Sequence, residues 1–346
     1  MNFIEVNFDS ALNSVLFFVS VFIVSNIGVF LYRKIATRFK ILASPNFRTL
    51  HKFPVPRGGG IVFSLIFVIG VFVFWYVNLL SLELLLILGF GGLAATLFGF
   101  IDDIYNISAS RKLLVQICLS IWILYWLGVG TLLHNFWLLG VVIIPLLIFF
   151  IVWMINAYNF MDGIDGMAAS GAIFISLALT VVLFLTKESI EIMAIFILIS
   201  ATVSGFMFFN WPPATIFMGD AGSIFLGYIF GSLMLFTVLN SDISIWIWVT
   251  VLGYFFADTT VTQIMRVILV KKWYLAHRSH AYQNLARITG SHLKVTGAVT
   301  LYNIIWIFPL VVWSVLQPEI EVVAAILAVI PAMIVTYKYG PLLSSS

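Results

Sequence analysis

The feature that most constrains this chain is a succession of apolar runs, each close to the roughly 20 residues a helix needs to cross a hydrocarbon core. About eleven follow one another, near 11–32, 60–80, 83–101, 112–128, 137–156, 166–186, 190–209, 221–240, 243–269, 295–315 and 320–338. Continuous runs exclude an outer-membrane barrel, whose strands alternate polar and apolar residues. A soluble fold is excluded as well, because 62% of the 346 residues are hydrophobic and only 9% charged, against roughly a quarter charged in soluble domains. The expectation is an all-α integral membrane protein, a single polytopic domain over 1–346 with about eleven transmembrane helices. The first run reads as a retained helix, since Glu5 and Asp9 precede it without a Lys or Arg and no small-residue cleavage pattern follows. Cys118, the only cysteine, has no partner for an intramolecular disulfide or a cysteine metal cluster.

Charge placement gives the expected orientation. Of the 17 lysines and arginines, all but Lys187 fall on the side reached after the first run, in three clusters and at Lys338. The clusters are Arg33 to Arg57, Arg111 with Lys112, and Arg266 to Lys294. Basic residues mark the cytoplasmic side, so the N-terminus is expected outside and the C-terminus in the cytoplasm. Segments near 33–60, 102–112, 156–166, 210–223 and 270–294 then become cytoplasmic loops.

The acids separate into two groups. Glu5, Asp9, Glu83, Glu188, Glu191, Asp242, Glu319 and Glu321 scatter over the outer segments, where an acid at a helix start is ordinary. Asp102, Asp103, Asp162, Asp165, Asp220 and Asp258 gather at the cytoplasmic ends of apolar helices. An Asp at a helix centre costs about 3 kcal/mol to insert, so six near one face call for a shared cation, a shared solvent pocket, or both.

Four segments carry the expected chemistry. Asp102-Asp103 closes the third run, where acids oppose the helix dipole, and Arg111-Lys112 opens the next. In Asn156-Ala157-Tyr158-Asn159-Phe160-Met161-Asp162-Gly163-Ile164-Asp165-Gly166, positions 156, 159, 162 and 165 repeat at i, i+3. If Asn156 to Asp165 is helical or turn-like, those amides and carboxylates share one face, suited to a nucleotide and a divalent ion. Asn210 to Ser223 ends in Gly219-Asp220-Ala221-Gly222, where Asp220 is either a helix cap or a site residue beside phosphate-binding amides. His277-Arg278-Ser279-His280-Ala281-Tyr282-Gln283 offers a cationic anion clamp, because no cysteine or third histidine completes a zinc site. Arg57, ahead of Gly58-Gly59-Gly60, is expected near an anionic headgroup. Such a set suits phosphoryl transfer between a soluble and a lipid substrate, where carboxylate-held Mg²⁺ and cationic side chains stabilise charge on the phosphates.

Asp102-Asp103, the Asn156-to-Gly166 block, Phe217-Met218-Gly219-Asp220-Ala221-Gly222-Ser223 and His277-Arg278-Ser279-His280 resemble, in order, the cytoplasmic motifs of the polyprenyl-phosphate N-acetylhexosamine-1-phosphate transferases. The resemblance implies a bacterial inner-membrane enzyme facing the cytoplasm. It would transfer an N-acetylated amino-sugar 1-phosphate from a UDP-sugar to undecaprenyl phosphate and release UMP. It implies Asp102, Asp103 and Asp220 as catalytic residues and Asp220 with Asp162 as ligands of Mg²⁺, for which Mn²⁺ can substitute. Substrate binding falls to Asn156, Asn159, Asp162, Asp165, His277, Arg278, His280, Arg57 and Lys112. His-Arg-Ser-His replaces the consecutive histidines of the muramoyl-pentapeptide branch, and the chain looks more similar to the branch that starts O-antigen or other surface polysaccharides. A homodimer is compatible with this reading, and no nucleic-acid partner is expected. Asp258 resembles a further polar family position. The alternative is a proton- or cation-coupled secondary transporter, but such proteins usually hold their acids near the midplane between internal repeats, and no convincing repeat is found here.

Overall fold

In the computed structural model, residues 8–43, 53–130, 137–270 and 278–344 are described. Apart from one two-residue strand pair, their regular structure is helical. Helix α1 (Phe8–Arg38) is followed by a hairpin of β1 (Leu42–Ala43) and β2 (Val55–Pro56), paired antiparallel with Leu42 opposite Pro56. Then come α2 (Gly60–Tyr76), α3 (Leu82–Tyr105), α4 (Ala109–Trp126), α5 (Trp137–Met161), α6 (Met167–Thr186), α7 (Ile190–Asn210) and α8 (Asp220–Asn240). After these follow α9 (Ile245–Val251), α10 (Gly253–Leu269), the short α11 (Ala281–Thr289), α12 (His292–Leu316), α13 (Glu321–Tyr339) and α14 (Pro341–Ser344).

Every apolar run expected from the sequence falls on a helix, but the number that qualify as membrane spans differs from eleven. Among the described residues, eight helices are long and apolar enough to cross, or nine if α9 and α10, bent by 84°, form one broken span. Helix α2 has only 17 residues, and the first turn of α4 is made polar by Arg111 and Lys112. The chain is an integral membrane protein built of helices that are apolar all round, the pattern of segments surrounded by lipid or by other helices.

Helix α8 is the centre of the bundle: 83% of its span is buried, against 11% for α1 at the periphery. It packs on α2, α3 and α5. Small residues allow these approaches, as is usual where helices meet in a membrane. A Cβ on Gly222 of α8 would lie 2.8 Å from the Gly60 Cα of α2, and one on Gly227 would lie 2.6 Å from the Ile155 Cα of α5. The N-terminal end of α8 is thereby fixed beside the start of α2 and the ends of α3 and α5, which is where the acidic residues converge.

All five segments expected as loops are partly helical. Helix α1 runs on through Arg33, Lys34 and Arg38, residues 156–161 are the last turns of α5, and α11 occupies the middle of 270–294.

Candidate active site

The C-terminus of α3 meets the N-terminus of α8, and this explains why acids end α3. Asp103 points its buried carboxylate at the first turn of α8 and accepts the backbone N–H groups of Asp220 (2.8 Å) and Ala221 (3.1 Å). Two of the donors that any helix start leaves unsatisfied are thus met by a charge favoured by the dipole of α8. Gly219 is required there: its φ is +75°, and a Cβ would strike the Asp103 carboxylate.

Arg57 is brought in by backbone pairing. Phe217 N donates to Pro56 O (2.8 Å), Gly59 N to Phe217 O (2.9 Å) and Gly60 N to Met218 O (2.8 Å), while the Tyr32 hydroxyl donates to Arg57 O (3.1 Å). From that anchor Arg57 reaches Asp103 through Nε (2.8 Å) and Asp220 Oδ1 through a terminal nitrogen (3.2 Å). On the other side Lys112 Nζ bridges Asp102 and Asp220 Oδ2, at 3.0 Å from the latter. Asp102 also accepts Ile107 N (2.7 Å). The result is a lattice of three carboxylates and two cations. Within it the Asp220 side chain is 15% exposed, against 2% for Asp102 and none for Asp103. Asp220 is therefore the acid that can face a ligand. Asp103 already accepts three donors and has no exposed side-chain surface.

Asp162 lies just past the end of α5, partly buried. Burial, and then the charges of Asp220 and Asp103, hold its carboxyl well above the usual carboxylate range, and Arg57 only partly offsets them. For Arg57 itself burial opposes the charge, but Asp103 and Asp220 outweigh it and the guanidinium is held more firmly protonated than usual.

The expected single face of 156, 159, 162 and 165 is not formed, because the helix stops at Met161. Asn156 pairs its amide with Gln116 of α4 (2.8 and 3.3 Å), and Asn159 donates to Ser223 Oγ of α8 (2.9 Å). Asp165 is turned away to join two other segments. Its carboxylate accepts Ala214 N (2.9 Å) and contacts His292 Nδ1 (3.1 Å), and its carbonyl accepts the Thr296 hydroxyl (2.7 Å). Asn210 adds a second stitch between the same loops by accepting Gly166 N (3.0 Å) and donating to Ile216 O (3.0 Å).

His280 is also placed differently from a clamp exposed to substrate. Its ring is buried against Phe160 and Tyr282, with Nδ1 on Asp258 Oδ1 (3.1 Å). Asp258 repeats the device of Asp103: it accepts Ala281 N (3.2 Å) and Tyr282 N (3.1 Å), the first turn of α11. Arg278 is less buried than Ser279 and His280. His277 lies outside the described residues. Gln116, Asn210, Ser223, Tyr282 and His292 all hold site residues without having been singled out from the sequence. Only Asn210, Ser223 and Tyr282 stood inside motifs, and none carried a charge to draw attention.

The residues fit a hard divalent cation in kind. Their donors are carboxylate oxygens, and with Asp162 four acids face two cationic side chains. Among the described residues no group of three or more acids, histidines or cysteines is disposed to hold a metal alone. Mg²⁺ is usually bound through one or two carboxylates, with water and substrate phosphates completing its shell.

An all-α membrane bundle with a carboxylate and cation lattice at one end defines a class of integral membrane proteins whose polar site is confined to a single face of the bundle. Residues 85–238 match the model of glycosyl transferase family 4. The chain is 31% identical over 284 residues to a probable undecaprenyl-phosphate N-acetylglucosaminyl 1-phosphate transferase of Bacillus subtilis, covering 80% of this chain and 77% of that one. It is 29% identical over 238 residues to a phospho-N-acetylmuramoyl-pentapeptide-transferase of Clostridium beijerinckii (64% and 70% covered). It is 35% identical over 194 residues to a protein of the same name from Thermoanaerobacter (51% and 60%). The chain belongs to this family, the polyprenyl-phosphate hexosamine-1-phosphate transferases. These relatives are transferases and give no support to the transporter reading.

Proposed function

We propose that this protein transfers an N-acetylated amino-sugar 1-phosphate from a UDP-sugar to undecaprenyl phosphate, giving undecaprenyl-diphospho-sugar and UMP. UDP-GlcNAc or a related UDP-N-acetyl sugar is the donor, and the product initiates O-antigen or another envelope glycan. The observation that carries this reading is the lattice of Asp102, Asp103 and Asp220 tied by Arg57 and Lys112 at one end of the bundle. A site for two phosphorylated substrates, one lipid and one soluble, needs cations and metal-binding acids side by side at the membrane surface. Sequence similarity to the Bacillus subtilis relative, named for N-acetylglucosaminyl 1-phosphate transfer, favours the N-acetylglucosamine type of donor.

In this reading the eleven helical stretches cross the inner membrane of a bacterium, with the site in the cytoplasm, the N-terminus outside and a homodimer as the assembly. Asp220 and Asp162 hold Mg²⁺, or Mn²⁺ in its place. When bound, the ion supplies Lewis-acid stabilisation of charge on the diphosphate. Lys112 and Arg57 each bind the lattice at present and have ammonium or guanidinium protons to turn toward a phosphate. Arg278, with His277, belongs to the donor side of the cleft. The lipid phosphate has a second pKa of about 6, so it is largely dianionic at neutral pH and attacks without a strong base. Asp103 acts as the cap that orients Asp220 and Arg57, and Asp102 as the partner that holds Lys112.

The test is to incubate purified protein with undecaprenyl phosphate and a panel of UDP-sugars and identify lipid products by mass spectrometry. A diphospho-N-acetylhexosamine lipid with equimolar UMP is expected. Absence of any lipid product across the panel, with Mg²⁺ present, would refute the assignment.

A further inference from the structure

Tyr282 is fully buried, and its hydroxyl grips the turn that carries Asp162. It donates to the carbonyl of Phe160 and lies against Gly163, so one oxygen contacts the turn on both sides of Asp162. A side chain at position 163 would collide with that hydroxyl. Burial, and then the charges of Asp258 and Asp162, push the phenol well above its ordinary value, which keeps it a donor at every working pH.

The ring is itself held from below. Asp258, fully buried in α10, accepts Tyr282 N and Ala281 N together with the hydroxyls of Thr262 (3.1 Å) and Tyr254 (3.3 Å) and contacts His280 Nδ1. A chain of contacts thus runs from the broken span through the start of α11 to the 160–163 turn. The turn needs such a hold. Asp162 faces the like charges of Asp220 and Asp103, and a free turn would relieve that repulsion by swinging its carboxylate toward water.

We propose that Tyr282 is a positioning residue for Asp162: its hydroxyl fixes the 160–163 turn and so aims the Asp162 carboxylate at the Asp220 lattice. The proposal rests on the reading of Asp162 as a metal ligand given under Proposed function. Groups that orient a metal ligand typically change affinity or activity by about 10–100-fold when removed.

The test uses the full chain in lipid nanodiscs. Tyr282→Phe keeps the ring and removes only the hydroxyl. Hydrogen exchange in a peptide covering 158–166 is expected to quicken by at least ~10-fold while α8 is unchanged, as for local rather than global opening. Mn²⁺ affinity, read by paramagnetic resonance without substrate, is expected to fall by about 10-fold. Unchanged exchange in 158–166 overturns the proposal. If exchange rises throughout the bundle, Gly163→Ala decides, since it crowds the same hydroxyl from the turn side: a local rise supports the proposal and no change refutes it. Asp162→Asn separates the two ideas. If that variant binds Mn²⁺ as tightly as the parent, the metal role of Asp162 fails, and the exchange measurement alone decides the positioning role.

Discussion

Replacing Asp103 by Asn tests whether this acid does chemistry or builds the site. Asp103 accepts three donors: Asp220 N, Ala221 N and Arg57 Nε. Asn keeps one acceptor oxygen and turns an NH₂ group toward donors on the other side. A hydrogen bond to a charged group contributes about 1.5–3 kcal/mol, and breaking a buried ion pair by removing one partner costs about 3–5 kcal/mol. Arg57 retains Asp220 and is partly open to water, which discounts the ion-pair figure. About 3 kcal/mol is therefore the expected loss, with an apparent melting temperature lower by the order of 5 °C. The assay is thermal unfolding in detergent followed by intrinsic fluorescence, alongside turnover at saturating donor.

Asp220→Asn is the comparison, because this side chain is more exposed and caps no helix, although it bridges Arg57 and Lys112. It should lose turnover with a smaller fall in melting temperature than Asp103→Asn. Asp103→Asn should lose both together, and substrate saturation should not restore turnover, since the mispositioned groups act in the transition state. A variant at Asp103 that melts like the parent yet has no turnover would refute the capping account and return this residue to the chemistry.

Three further outcomes follow from the same geometry. Asp220→Asn should cut turnover by at least ~100-fold, as for loss of a principal transition-state stabiliser, and chelation of Mg²⁺ should abolish activity of the parent until Mg²⁺ or Mn²⁺ is returned. Asp162→Asn should be inactive yet more stable than the parent at neutral pH. The folded state holds Asp162 above its unfolded value of about 3.9, so the parent loses stability as pH rises from there toward the folded value, and the gap between the two proteins should close again in acid. Single cysteines placed near Lys52 and in the His277 segment of a Cys118-free background should react only from the cytoplasmic side; labelling from outside would reverse the topology.

How far these residues could be read in advance depended on whether their signal was local. Helix-forming runs and the concentration of aspartates at one face are properties of composition along the chain, and both were legible. Asp102 and Asp103 were found because an acid closing an apolar helix is costly wherever its partners lie, and Asp220 because it stands between glycines at the start of one. Their partners were not legible, because Arg57 and Asp220 are joined across 163 positions by backbone pairing between two irregular segments. The i, i+3 pattern of 156, 159, 162 and 165 misled because period alone does not say where a helix stops. After Met161 the chain turns, and Asp165 is recruited by Ala214 and His292. Likewise the histidine-rich segment read as an open clamp, although His280 is drawn inward by Asp258, an acid whose role no local pattern revealed.

Asp103 and Asp258 expose a common logic in this site. Each is a buried carboxylate on a long helix, Asp103 in the last turn of α3 and Asp258 within α10, and each accepts the first two amides of a later helix, 220 and 221 in one case, 281 and 282 in the other. An irregular loop at a membrane surface has little apolar area with which to fix itself, so its geometry must come from polar anchors. A carboxylate taken from the bundle is well suited, because its insertion cost is offset only when the right helix start arrives to be capped. The acids that the sequence gathered into one group therefore divide by exposure. Asp103 and Asp258, with no exposed side-chain surface and three or more partners each, hold the loops; Asp220, tied to Arg57 and Lys112, and Asp162, whose charge is opposed by burial and by its acidic neighbours, are left facing the cleft where the proposed divalent ion and diphosphate would bind.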